Sequence, residues 1–351
     1  MLKSSEHFMT TWDGTRLFYR AWQPPTPSRK ALVLFHRGHE HSGRFEDVVN
    51  ALALDDLSVF AWDARGHGNS PGKRGYADSF TCLVKDADAF VRDISQAHAI
   101  PLENMVLLAS SVGAIISAAW VHDYAPPIRA QVLVSPAFRV KLYVPFAIPM
   151  LRLLRRLRTR PFVRSYVSGK LLTHDPEQIV RYDEDVLISR AIAVNILLDL
   201  HDAATRVIED AGAIHVPTLL LAAGADWGVK LPPQRRFFVR LSSPVKKMHV
   251  FPDFYHDLLH EKDRERPLAR AREFILDAFL RPPTRPLLGK GGDGGNQAEY
   301  AQLAEPLPLL APHRLYFGCL KLLLKTVGRL SDGIRLGWRR GFDSGESLDY
   351  V

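Results

Sequence analysis

Cysteine is almost missing from this chain: Cys82 and Cys319 are the only two in 351 residues. They lie far apart and form no C-x-x-C pattern, which excludes a disulfide framework and a structural zinc site of ordinary spacing. Long apolar runs are missing as well. The best, Ala191 to Leu200, is roughly half of the ~20 residues that cross a bilayer and is interrupted by Asn195 and Asp199, so no spanning helix is expected. The opening MLKSSEHFMTTWDG has no apolar stretch after Lys3, so no secretory leader is expected and a cytoplasmic location is the default. No internal repeat is visible. Charge is plentiful, by contrast, and unbalanced: the formal net charge is +8 and 46% of residues are hydrophobic, enough apolar material for one large core plus an extension. Arg152, Arg155, Arg156, Arg158, Arg160 and Arg164 crowd one segment, and further Lys and Arg gather between Lys321 and Arg340. Neither cluster carries a nucleic-acid motif, so the charge speaks to association rather than fold, and no nucleic-acid partner is expected.

Punctuation and period predict an opening hairpin, Phe8–Thr11 and Leu17–Trp22, around Asp13-Gly14. Short apolar runs follow at Ala31–Phe35, Ser58–Trp62, Val106–Ala109, Val132–Val134, Thr218–Ala222 and Met248–Phe251, the signature of parallel strands buried on both faces. Helical stretches at Arg44–Leu54, Ser79–His98, Val112–Asp123, Pro233–Leu241 and Asp263–Leu280 alternate with them and predict a doubly wound α/β sheet. The interval of about eighty residues between Val134 and Thr218 exceeds any ordinary strand-helix connection and reads mostly helical; residues 138–210 are therefore expected to form an inserted cap. Past Leu280, PPTRPLLGKGGDGGNQ reads as a Gly/Pro-rich linker. The expected organisation is a catalytic domain over 1–282, a linker over 283–297 and a basic helical extension over 298–351.

The chemistry begins at Val106-Leu-Leu-Ala-Ser-Ser-Val-Gly-Ala114, a strand running through a serine into a helix. A serine on so sharp a turn needs small residues two before and two after, so that the chain can double back. Ser111 has Ala109 and Gly113 there; Ser110 would have Leu108 and Val112, which are too large. Ala109 stands where glycine is usual. A serine hydroxyl is a poor nucleophile near neutral pH, so an imidazole must take its proton and a carboxylate must orient that imidazole. Asp226, just past Thr218–Ala222, and His256, just past Met248–Phe251, occur in the order and at the strand ends that such chemistry requires. His260 and His249 compete as bases, but both fall within regular elements. The backbone N–H groups of Gly38 and Val112 are the expected oxyanion donors. His36, His39 and His41, in the loop after the first parallel strand, also admit a metal-site reading; H-x-x-H-x-H without a second ligand cluster is poor zinc grammar, and no metal or other cofactor is expected.

Taken together, these blocks resemble the serine-aminopeptidase-like branch of the α/β-hydrolases, which includes monoacylglycerol lipases and lysophospholipases. His36–Phe45 is similar to the family's H-G-x-G-E-H-S-G-R-Y. Asp63-Ala-Arg-Gly-His-Gly-Asn-Ser-Pro-Gly-Lys-Arg-Gly-Tyr76 is similar to D-x-R-G-H-G-x-S-x-G, and Leu172-Thr-His-Asp-Pro-Glu177 is similar to a cap phrase of that branch. The likeness runs over about residues 7–280. It implies an α/β-hydrolase fold, a mostly parallel sheet with helices on both faces and a helical cap. It further implies a Ser111-His256-Asp226 triad, oxyanion donors at Gly38 and Val112, and a small ester or lipid substrate, acylglycerol- or lysophospholipid-like. Arg37 departs from the family's glycine, which implies either an altered oxyanion loop or a cation beside an anionic substrate. The Arg65–Ser70 segment reads as a structural turn beneath the site.

FHRGHEHSGR, WVHDYAPPIR, GRLSDGIRLG and GFDSGESLDYV look like the hydrolase half of bacterial proteins in which such a domain precedes a class I S-adenosylmethionine-dependent methyltransferase. That likeness implies a methyltransferase partner domain, although Gly289–Gly295 follows no strand and reads as linker rather than cofactor loop, and this chain reads as a truncated or split form. The cap's alternation of apolar and cationic residues from Val144 to Arg158 allows a peripheral contact with an anionic lipid surface. Two other readings stay open: a metal-dependent hydrolase built on His36, His39 and His41, and a catalytically idle scaffold, which Arg37 and Ala109 keep in play.

Overall fold

A computed structural model describes residues 2–282 of the chain. Strands β1 (Lys3–Thr10) and β2 (Arg16–Gln23) form the expected hairpin. Its turn is closed by the Gly14 amide on the Thr11 carbonyl and by the Asp13 carboxylate, which accepts from the Thr15 amide and the Thr11 hydroxyl. Gly14 takes a positive φ of 82°, the conformation for which glycine has no steric cost.

The chain then alternates as β3 (Ala31–Phe35), α1 (Glu46–Leu52), β4 (Ser58–Trp62), α2 (Phe80–Ala97), β5 (Met105–Ser110), α3 (Val112–Tyr124) and β6 (Ala130–Val134). After α4 (Ala147–Leu157), β7 (Phe162–Arg164), α5 (Pro176–Glu184), β8 (Ala191–Ala193) and α6 (Val194–Glu209), alternation resumes with β9 (Thr218–Ala223), α7 (Leu231–Arg240), β10 (Lys246–Phe251) and α8 (Glu265–Leu280). The main sheet has the order β1-β2-β4-β3-β5-β6-β9-β10. From β4 to β10 every neighbour in this sheet is parallel; β2 alone is reversed, pairing antiparallel with both β1 and β4. β7 and β8 pair separately with each other.

Strands β3, β4, β5, β6 and β9 are buried along their whole length, which is why their sequences are continuous apolar runs rather than alternating ones. One face packs on α1 and α8 through Val48, Val49, Leu52, Phe274 and Ile275. The other packs on α2, α3, α6 and α7 through Phe90, Trp120, Leu200, Val207 and Phe237. Gly113 to Val121 of α3 are all buried, so that stretch of the helix lacks a polar face.

Two departures from the expected elements bear on the site. The helix expected over Arg44–Leu54 starts as a 3-10 turn, Ser42–Phe45, and becomes α-helical only from Glu46. Within the long interval, α6 lends its apolar face to the core beside the sheet, because its buried positions recur at helical spacing and meet α3 and α2. The linker and basic extension expected over 283–351 lie outside the described residues.

Candidate active site

The parallel strands all deliver their carboxyl ends to one edge of the sheet, and the order reverses beside β5: β3 leads to β4 on one side and β5 lies on the other. Loops leaving adjacent strands at such a point diverge and leave a crevice. Gly38 follows β3, Ser111 follows β5, Asp226 follows β9 and His256 follows β10.

Ser111 sits between β5 and α3 at φ 54°, ψ −112°, a conformation that costs a non-glycine residue on the order of 1–3 kcal/mol and persists only where the surroundings impose it. They do so here. The Ser111 amide donates to the Val134 carbonyl at 2.9 Å and its carbonyl accepts from the Ala137 amide at 3.1 Å. Gly113 lets α3 approach β3: a Cβ there would stand 2.4 Å from the His36 carbonyl oxygen and 2.7 Å from that of Phe35. Ala109 at the other small position is fully buried.

The Ser111 Oγ lies 2.8 Å from His256 Nε2, and His256 Nδ1 lies 2.7 Å from Asp226 Oδ2. All three residues are buried, at no more than 6% exposure. A carboxylate accepts only, so Nδ1 carries the proton and Nε2 is left free to accept from the hydroxyl. Asp226 Oδ1 takes the amides of Gly228 and Val229 at 2.6 and 2.9 Å. Burial pushes the Asp226 carboxyl up, but the His256 charge, its hydrogen bond and these two amides outweigh it and hold the group below its ordinary value. Gly38 stands against Val112: a Cβ at position 38 would be 3.1 Å from Val112 Cγ2, so the two expected oxyanion amides belong to touching residues beside Ser111.

The competing histidines are elsewhere. His249 lies within β10. His260 directs Nδ1 to Asp257 at 3.0 Å and Nε2 to the Arg44 carbonyl at 2.8 Å. The three histidines of the metal reading do not converge on one point. His36 spans the Arg37 carbonyl and the Ala64 amide at 2.7 and 3.0 Å, and His41 spans the Gly43 amide and Asp185 at 3.2 and 2.9 Å. Burial, the largest influence, pulls His36 and His39 down to about 4, and among the described residues no group of three or more His, Cys, Asp or Glu is placed to hold a metal ion.

Arg37, whose substitution for glycine had allowed a cation beside a substrate, is not solvent-facing. Its guanidinium is buried and forms ion pairs with Glu40 at 2.5 Å and Asp257 at 2.8 Å. No sequence spacing announces a partner 220 residues away. Asp257 is thus a residue that sequence reasoning passed over; its only signal was adjacency to His256.

The D-x-R-G-H-G block is a buried brace. Asp63 accepts the amides of Ser42 and Asn69 at 2.5 and 2.7 Å, tying the turn to the loop after β3, and Arg65 grips Asp86 with two bonds of 2.9 and 2.8 Å. The cap phrase is likewise anchored: the Asp257 amide donates to the Leu172 carbonyl at 2.8 Å and the His174 amide to Glu261 at 2.7 Å.

A mostly parallel sheet with a serine, a histidine and a carboxylate in contact at its carboxyl edge defines an α/β-hydrolase. More narrowly, the chain belongs to the family described as serine aminopeptidase, S33, whose model matches residues 26–263. It is 29% identical over 266 residues to Homo sapiens monoglyceride lipase, covering 71% of this chain and 82% of that one. The Paleococcus ferrophilus monoacylglycerol lipase structure superposes with a TM-score of 0.66 at 25% identity, over 79% of this chain and 99% of that chain. Over nearly its whole length, 99%, the chain is 47% identical to the Escherichia coli (strain K12) uncharacterized protein YnbC, yet spans only 60% of that relative. A second family model, described as putative methyltransferase, matches residues 271–351. Its described beginning lies in α8, whose Ala271, Phe274, Ile275 and Ala278 pack in the hydrolase core. Among the described residues no helix is long and apolar enough to cross a membrane.

Proposed function

We propose that the chain is a serine hydrolase of carboxylic esters, acting on acylglycerol- or lysophospholipid-like substrates. The observation that carries this reading is the unbroken pair of contacts Ser111–His256–Asp226 at 2.8 and 2.7 Å, built on a serine held at positive φ. In this reading Ser111 Oγ attacks the ester carbonyl carbon as its proton passes to His256 Nε2, and the carbonyl electron pair moves onto oxygen. The amides of Gly38 and Val112 hold that oxyanion. Collapse breaks the bond to the alcohol, which leaves with the proton from His256. Water then repeats the sequence on the acyl-serine and releases the acid, restoring Ser111. Asp226 keeps the imidazole in the accepting tautomer throughout and offsets its charge once protonated.

The monoglyceride lipases among the relatives favour a glycerol ester over a peptide. The domain assignment that goes with this reading is a hydrolase over 1–282 with an inserted cap over about 138–210, whose last helix, α6, also packs on the core. Leu153 and Leu157 are exposed on α4 beside Arg152, Arg155 and Arg156, which supports a peripheral contact with anionic lipid.

A fluorophosphonate probe and a panel of chromogenic esters of graded acyl length, applied to wild type and Ser111→Ala, test the proposal. Stoichiometric labelling of wild type at Ser111 and loss of both labelling and hydrolysis in the variant are expected. Hydrolysis that survives Ser111→Ala, or that a chelator removes, overturns it.

A further inference from the structure

Beside the serine site lies a second, larger set of buried charges that the reaction above does not use. Arg37 Nε and Nη2 meet Glu40 at 2.6 and 2.5 Å, and Nη2 also meets Asp257 Oδ2 at 2.8 Å. Arg44 reaches Glu40 at 3.3 Å. Asp257 in turn pairs with His260, which touches Asp47, and Asp47 pairs with Arg264 at 2.7 Å. Arg37, Glu40, Asp257 and His260 are all buried, and the Tyr182 ring of α5 lies 5.6 Å from the Arg37 guanidinium.

The position of the bridge in the chain matters more than its size. Arg37 immediately precedes Gly38, and Asp257 immediately follows His256. One ion pair therefore joins the loop that carries an oxyanion amide to the loop that carries the base, and no other element intervenes. Glu40 closes the same guanidinium onto its own loop through a two-point grip, which fixes orientation as well as distance. Ser42 is separately pinned to Asp63 and His36 to the Ala64 amide, so the loop after β3 is tied to the D-x-R-G-H-G turn on one side and, through Arg37, to the His256 loop on the other.

We propose that Arg37 and Asp257 are positioning residues that set the register of the Gly38 amide against the His256 imidazole. This rests on the serine-hydrolase reading. Neither residue touches the reacting atoms; the pair acts through the residues next to each. Its contribution falls on turnover rather than on ground-state binding, because the oxyanion and the protonated base exist only along the reaction coordinate.

The test compares kcat and KM on a short chromogenic ester in wild type, Arg37→Lys and the double variant Arg37→Met with Asp257→Asn. The double variant removes both charges together and leaves Glu40 its Arg44 partner. Fluorophosphonate titration counts intact sites, so that kcat is expressed per folded molecule. In the double variant kcat is expected to fall about 10²-fold, the cost of a misplacement near 1 Å, with KM within about twofold of wild type. Arg37→Lys keeps a single contact to Asp257 and is expected to fall between the two. A double variant with wild-type kcat per titrated site overturns the proposal. If that variant does not fold, a wild-type kcat per site in the single variant Arg37→Met, which removes the ion pair, does so instead. The reading beneath it fails differently: Ser111→Ala would then hydrolyse the ester, or wild type would take no label at Ser111.

Discussion

Two histidines four residues apart in the segment after β10 meet opposite surroundings. Both are buried and both hold a carboxylate on Nδ1, Asp226 for His256 and Asp257 for His260. The difference lies on the second nitrogen. His256 Nε2 faces a hydroxyl, which can donate to it; His260 Nε2 faces the Arg44 carbonyl, which can only accept. An imidazole between two acceptors must carry two protons. Burial alone would pull His260 down, but the Asp257 charge and its hydrogen bond, with Asp47, raise it to about 9. A carboxylate on Nδ1 is therefore common to both rings, and the group on the other nitrogen is what distinguishes them.

The sharpest way to break this contrast is to substitute each histidine in turn. If the proposed function holds, His256→Gln removes turnover on the order of 10⁶-fold, as loss of the base does in serine hydrolases. Asp226→Asn, which disturbs only the tautomer, is expected to cost about 10⁴-fold. Steady-state kinetics on a chromogenic ester measure both. His260→Gln is expected to lower stability by roughly 3 kcal/mol, because it takes a charge from a buried network, while the molecules that remain folded still take a fluorophosphonate label at Ser111. Urea melts and label counting separate the two, and a catalytic collapse in His260→Gln without loss of stability would erase the distinction.

A pH series sharpens it further. His36, His39 and His67 are held at about 4, chiefly by burial, below the unfolded value of about 6.5. The stability they lend is present above about pH 6.5 and is lost as pH falls from there towards 4. His260 has the opposite sign: with its folded value near 9, its contribution is complete below about pH 6.5 and fades as pH rises through 9. Melting temperature should thus decline on both sides, and His260→Gln should flatten only the alkaline side. The smallest effect belongs to the exposed pair Arg155–Asp199, at 3.0 Å. Arg155→Ala is expected to change stability by no more than about 1 kcal/mol in the same urea melts.

Much of this was legible in residue order. Continuous apolar runs such as Ala31–Phe35 are conspicuous because a strand covered on both faces has no polar positions to interrupt it. Ser111 could be separated from Ser110 because a doubled-back chain tolerates only small neighbours, a constraint local enough to read directly. Asp226 and His256 were suggested by their stations after strands and their order along the chain. The destination of α6 was not legible: an amphipathic helix in a long insertion reads the same whether its apolar face meets a cap or a core.

From sequence alone came the strand-helix alternation, the serine turn and the candidate partners, since period, side-chain volume and turn chemistry act over a few residues. Tertiary structure alone decided what faces the second nitrogen of His256 and of His260, that His36 and His41 point to separate partners, and that Arg37 joins Asp257 rather than standing in solvent. Those outcomes depend on what stands across a gap of a few ångströms between segments distant along the chain, and no local pattern encodes that.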